Sequence, residues 1–198
     1  MTNERKDMPP LNRRISAQAG FSLIEILVTI LILAIGLLGL AGLQTKMLTT
    51  EFEAFQRTQA LVLAQDMVNR INANRTAARN SEYSGSAVYG TGNTLGDSAC
   101  TQTEMADLDL CLWSQALKGS GTEDGSDTKV GAMIGARGCI ETVSGSATSE
   151  VVLRVTVAWQ GMSPSLASSL TCGQGSYGDD DSLRRTVSML VTLAYLGM

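Results

Sequence analysis

The stretch Gly20-Phe21-Ser22-Leu23-Ile24-Glu25-Ile26-Leu27-Val28-Thr29-Ile30 opens an apolar run that continues to Leu43 and holds a single carboxylate. From Phe21 to Leu43 there are 23 residues with one charge, enough for a helix to cross the roughly 30 Å hydrocarbon core of a bilayer. A span of that length is a generic element. Glu25 is not, because an ionisable side chain inside an apolar segment is energetically expensive and reads by default as functional.

On the N-terminal side, residues 1–20 carry Arg5, Lys6, Arg13 and Arg14 against Glu4 and Asp7, together with Pro9-Pro10. They read as a polar, basic leader outside the fold. Basic residues before the span place the N-terminus in the cytoplasm and the rest of the chain beyond the membrane. Without those four basic and two acidic residues, 11 basic side chains remain against 17 acidic ones, a net charge of −6. An acidic body of this kind argues against a nucleic-acid partner. The absence of histidine removes Ser-His-Asp and Cys-His catalysis and the commonest zinc ligand. With no phosphate loop and no metal-ligand set either, the chain is expected to be neither an enzyme nor a cofactor or metal carrier.

On the C-terminal side, Gly36, Gly39 and Gly42 soften the second half of the span, each by roughly 0.8 to 1 kcal/mol relative to Ala. They are read equally as a segment able to unwind and as small residues for close helix packing. Beyond Leu43 the pattern stays helical but turns polar, and from Ala60 an apolar stripe emerges of Ala60, Leu63, Ala64, Met67, Val68 and Ile71. No proline lies between Phe21 and Ser163, so one continuous helix is expected from about Ser22 to about Asn74, roughly 80 Å long.

An ordinary secretory signal has its cleavage site after the apolar region, whereas here the candidate site, Gly20, precedes it. The hexapeptide Gly20-Phe21-Ser22-Leu23-Ile24-Glu25 resembles the class III signal of type IV prepilins, a Gly-Phe-Ser/Thr-Leu-Ile/Val-Glu pattern, at every position. The resemblance implies cleavage after Gly20 by a prepilin peptidase at the cytoplasmic face and N-methylation of Phe21. It also implies that the Glu25 carboxylate of one subunit pairs with the Phe21 amine of another during assembly. The expected organisation is a leader over 1–20, a transmembrane helix segment over 21–43, an amphipathic half over 44–75, and a periplasmic or extracellular head over 76–198.

Within the head, residues 75–100 read as a long polar loop with one short strand at Ala87 to Tyr89. Thr101-Gln102-Thr103-Glu104 has the pattern of a capping box opening a helix to about Leu117. An acidic turn follows over 121–127, then a weak strand from Val130 to Val143. The clearest strands are Val151 to Trp159, with outward Arg154 and Thr156, and Arg185 to Leu196. These elements predict an α+β fold of the type IV pilin kind, with the long N-terminal helix packed on a head of two or three antiparallel strands. The acidic runs Glu123 to Asp127 and Asp179 to Asp181 are read as solvated loops in preference to calcium sites, and Tyr83, Tyr89 and Tyr177 as loop packing in preference to an adhesive surface.

The segments Arg57 to Ala60 and Asp66 to Arg75, the run Met105 to Leu110 with Trp113, and Arg184-Arg185-Thr186-Val187-Ser188 are similar to the minor-pilin family of the type IV pilus modification protein PilV. That resemblance implies a subunit that primes pilus assembly with other minor pilins and the major pilin, supporting twitching motility and adhesion, first in the inner membrane and then in the fimbrium. A type II secretion pseudopilin and a pilus-borne adhesin are the alternatives.

Four cysteines, Cys100, Cys111, Cys139 and Cys172, follow the apolar segment, as expected for an oxidising compartment. A helix beginning near Thr101 would separate Cys100 from Cys111 by about 15 Å of rise, beyond disulfide reach. Bridges from Cys100 to Cys139 or to Cys172, tying the second helix to the strands, are therefore expected.

Overall fold

The computed structural model describes residues 20–119, 133–146 and 148–195. The elements in chain order are α1 (Leu23–Ala73), α2 (Arg75–Arg79), β1 (Tyr89–Gly90), α3 (Met105–Leu117), β2 (Arg137–Ser144), β3 (Val151–Gln160) and β4 (Arg184–Leu193). The chain divides into two compact units, Met1–Lys46 and Met47–Met198, and the boundary falls within α1.

In the first unit α1 is an unbroken apolar helix, as the absence of proline predicts. It contains an 18-residue window of mean hydropathy 2.8, long and apolar enough to cross a membrane. Two of its hydroxyls are satisfied locally. Thr29 Oγ1 donates to the Ile26 carbonyl at 2.8 Å and Thr45 Oγ1 to the Ala41 carbonyl at 3.2 Å, so neither hydroxyl needs an outside partner.

The second unit is built on a four-stranded antiparallel sheet in the order β1-β2-β3-β4. Ala60, Ala64, Met67, Val68 and Ile71 of α1 share one core with Trp113 and Leu117 of α3, Ile140 of β2, Leu153, Val155, Val157 and Trp159 of β3, and Val191 and Leu193 of β4. The stripe expected on the helix is thus the face that is buried. The indole Nε1 of Trp113 donates to the Leu63 carbonyl at 2.9 Å, linking α3 to α1. Gly138 admits this ring, since a Cβ there would lie 2.3 Å from Trp113 Cη2. Arg79 on α2 donates to the Leu193 carbonyl at 3.0 Å and to the Ser149 carbonyl at 2.9 Å, securing the end of β4 and the β2–β3 turn. Across the sheet, Glu141 and Arg154 stand opposite each other and pair at 2.7 Å.

Several expectations are corrected. The sheet has four strands rather than two or three. The short strand falls at Tyr89–Gly90 instead of Ala87 to Tyr89. The helix expected from Thr101 begins at Met105, with Glu104 at the N-cap making no side-chain capping bond. The Thr101 capping box is therefore not formed. The weak strand is Arg137–Ser144, and its expected first residues, 130–132, lie outside the described residues, as do residues 1–19 of the leader, the acidic run Glu123 to Asp127, and Leu196.

The alternation expected along β3 fails in its second half, where Thr156 and Ala158 are buried as fully as Val155 and Val157. The segment after β3 folds back over that face and forms a second small core of Ala158, Cys172 and Tyr177 with Cys139 and Leu183. Arg184 holds this segment from within the fold. It is 3 % exposed and donates to the carbonyls of Ser168, Leu170 and Cys172. It also lies 3.4 Å from Asp181.

Candidate processing and assembly site

Gly20 and Phe21 precede α1, and the helix starts against Ser22. The Ser22 carbonyl accepts the N–H of Glu25 at 3.0 Å and of Ile26 at 3.3 Å. Glu25 thereby sits in the first turn, where unpaired backbone N–H groups and the helix dipole favour negative charge. This local field offsets part of the penalty for a carboxylate in an apolar segment. Phe21 is 81 % exposed, so the ring makes little contact within its own chain.

A Cβ built on Gly20 would meet nothing within 4 Å among the described residues. The same open space surrounds Gly36, Gly39 and Gly42.

The four candidate cysteines all form disulfides, but not in the expected pairs. Cys100 joins Cys111 and Cys139 joins Cys172, each with Cα atoms 5.8 Å apart. The expectation failed because the helix starts at Met105, leaving Cys100 in a loop that can turn back beside Cys111. One bridge closes that loop onto α3. The other fastens the segment after β3 to β2.

The acidic run Asp179 to Asp181 is only partly the solvated loop expected. Asp181 is 8 % exposed, and its carboxylate accepts the N–H of Gly175 at 2.7 Å and of Tyr177 at 3.4 Å. Asp180 is exposed and accepts the Ser182 N–H at 3.0 Å, which holds its carboxyl below the usual range. Tyr83 and Tyr177 are each 1 % exposed, and packing rather than an adhesive surface accounts for them. Among the described residues no group of three or more His, Cys, Asp or Glu side chains is placed to hold a metal ion.

A buried polar cluster joining α1, α3 and the loop before β1 had no signal in the sequence. Asp109 accepts bonds from Tyr83 Oη at 2.6 Å and Arg70 Nη1 at 3.0 Å, and Arg70 Nε also bonds Asp66 at 2.9 Å. The helical positions of Arg70 and Asp66 were legible. Their convergence with Tyr83 was not, because it depends on how α3 crosses α1.

A long N-terminal apolar helix with a small antiparallel four-stranded sheet is the α+β fold of a type IV pilin. Residues 15–41 match the family model of the prokaryotic N-terminal methylation motif. Residues 42–111 match the Tt1218-like family model, described as type IV pilin Tt1218. No curated protein and no solved structure matches the chain. The two family matches abut, and with the fold they support a type IV prepilin-like protein, membrane-anchored, processed by a prepilin peptidase and assembling with other pilins. Strands β2 to β4 lie beyond both matches.

Proposed function

We propose that this chain is a minor pilin, similar to the PilV family, which primes type IV pilus assembly with other minor pilins and the major pilin and supports twitching motility and adhesion. The observation that carries the reading is the uninterrupted Gly20 to Glu25 signal at the mouth of an apolar helix, inside the match to the methylation motif. Cleavage after Gly20 removes the basic leader and creates an amine on Phe21, which is then methylated. The helix lies in the inner membrane with its N-terminus cytoplasmic and residues 76–198 periplasmic until the subunit enters the fibre.

In assembly the Glu25 carboxylate pairs with the Phe21 amine of a neighbouring subunit. Inside an apolar helix bundle, removing one member of such a pair typically costs ~3 to 5 kcal/mol, so the pair selects partner and axial register. In the native host, Glu25→Ala is expected to be processed and membrane-inserted but to abolish co-isolation with other pilins and reduce fibre number. Normal piliation by this variant would overturn the assembly role, and a secretion defect with intact pili would assign the chain to the type II secretion pseudopilins instead. Mass spectrometry should find N-methyl-Phe21 at the terminus of the membrane-extracted protein; a retained leader would refute the processing step.

A further inference from the structure

The two loops flanking the sheet on its second face, one following β1 and one following β3, meet at a cleft of about 350 Å³ whose lining includes Thr91, Gly92, Arg137, Thr171, Gln174 and Ser176. Cavities of a few hundred Å³ suit small ligands. The floor is Arg137 on β2. Its guanidinium lies 5.1 Å from the centroid of the buried Tyr177 ring and donates to the Gly135 carbonyl at 3.1 Å. Tyr177 Oη donates to the same carbonyl at 2.8 Å, so cation and ring are set against one anchor. Among the described residues, no carboxylate is within ion-pair distance of Arg137, although Arg70, Lys118, Arg154, Arg184 and Arg185 each have one.

The walls are fixed rather than loose. Thr91 N donates to the Ala136 carbonyl at 2.8 Å, holding the first loop against the residue that precedes β2. The second loop is pinned to β2 by the Cys139–Cys172 disulfide. It is folded by bonds from Gln174 N to the Thr171 carbonyl at 3.0 Å and from Ser176 N to the Gly173 carbonyl at 3.2 Å. Gly173 has a φ of +66°, and a Cβ there would come 2.8 Å from the Tyr177 ring, so this tight approach depends on glycine.

We propose that this cleft binds a carboxylated sugar. A planar guanidinium held on one face by an aromatic ring presents its edge for a two-point contact with a carboxylate. The hydroxyls of Thr91, Thr171 and Ser176 and the amide of Gln174 are the donors and acceptors that a polyhydroxylated ring needs. A cleft lined by one cation, Arg137, suits a monoanion better than a phosphate dianion. The inference is independent of the assembly role of the N-terminal helix.

The test is calorimetric titration of the full-length protein in detergent micelles with D-glucuronate and N-acetylneuraminate, and with D-glucose, acetate and inorganic phosphate as comparison probes. At least one sugar acid is expected to bind saturably, and more tightly than every comparison probe. Arg137→Gln should weaken binding about tenfold or more, the effect of losing a charged hydrogen-bonding partner. Because Arg137 also packs on Tyr177, Ser176→Ala provides a second variant that leaves that stack in place and should weaken binding severalfold with an unchanged melting midpoint. The proposal is overturned if neither sugar acid binds, if a comparison probe binds as tightly, or if both variants bind like the parent protein.

Discussion

Tyr83 and Asp109 meet inside the head, the Tyr83 hydroxyl donating to Asp109 Oδ2 at 2.6 Å, with Arg70 completing the carboxylate's partners from α1. One buried acid thus joins the end of the long helix, the following loop and α3. Removing the hydroxyl leaves Asp109 short of a charge-assisted bond. Tyr83→Phe is expected to destabilise the head by ~1.5 to 3 kcal/mol at neutral pH, measured by chemical denaturation with tryptophan fluorescence.

The same phenol makes stability depend on alkaline pH. Burial, reinforced by the Asp109 carboxylate, raises the Tyr83 hydroxyl above its ordinary value of about 10. Burial raises Tyr177 as well, against the opposing effect of Arg137. A raised acid is protonated in the folded chain where the unfolded chain has already lost its proton. Its contribution is therefore intact below about pH 10 and is lost as pH rises through the folded value. Thermal midpoints are expected to fall above pH 10, and to fall less steeply in Tyr83→Phe.

Gln56 is 1 % exposed on α1, and neither its amide oxygen nor its nitrogen has a hydrogen-bond partner among the described residues. A buried amide without partners is unfavourable by ~1 to 3 kcal/mol. Gln56→Met, similar in length and apolar, should raise the unfolding midpoint; an unchanged or lower midpoint would show that the amide is satisfied in solution.

The two disulfides close loops of different length, with sequence separations of 11 and 33 residues. Chain entropy gives the longer loop the larger effect, both falling within about 2 to 4 kcal/mol. Replacing Cys139 and Cys172 together by Ala should lower head stability more than replacing Cys100 and Cys111. The first pair of substitutions should also expose the 162–183 segment to protease, while the second should leave it protected.

Glycines in the two units should respond in opposite directions to alanine. At Gly138 the added methyl meets the Trp113 ring, and such overpacking typically costs ~1 to 3 kcal/mol. At Gly42 it meets nothing within 4 Å and strengthens the helix by roughly 1 kcal/mol. Gly138→Ala should lower the melting midpoint of the head. Gly42→Ala should leave it unchanged, and if that glycine serves to soften the helix for assembly, fibre number in the native host should fall.

Legibility in the sequence followed the range of the interactions. The apolar run, the Gly20 to Glu25 signal, the unbroken course of α1 and its stripe from Ala60 to Ile71 are written in consecutive residues or in a 3.6-residue period. Helical geometry converts the run and the stripe into structure, and the signal was read from its resemblance to prepilins. The two long strands were readable by the same logic, to within three residues at their ends. The start of α3 was not, because Thr101 and Glu104 have a capping pattern that the chain does not use, the helix beginning at Met105 instead. That one displaced boundary also misdirected the disulfide pairing.

The N-terminal half was therefore legible from the chain itself: a stretch matching the N-terminal methylation motif, an apolar helix and its amphipathic continuation, each specified by neighbours in the chain. The cysteine partners, the burial of Thr156 and Ala158 on the second face of the sheet, the meeting of Tyr83 with Asp109 and the cleft floored by Arg137 are set by long-range packing. Each of these joins residues distant in sequence, whose approach depends on how loops fold back on the sheet. No local pattern records that geometry.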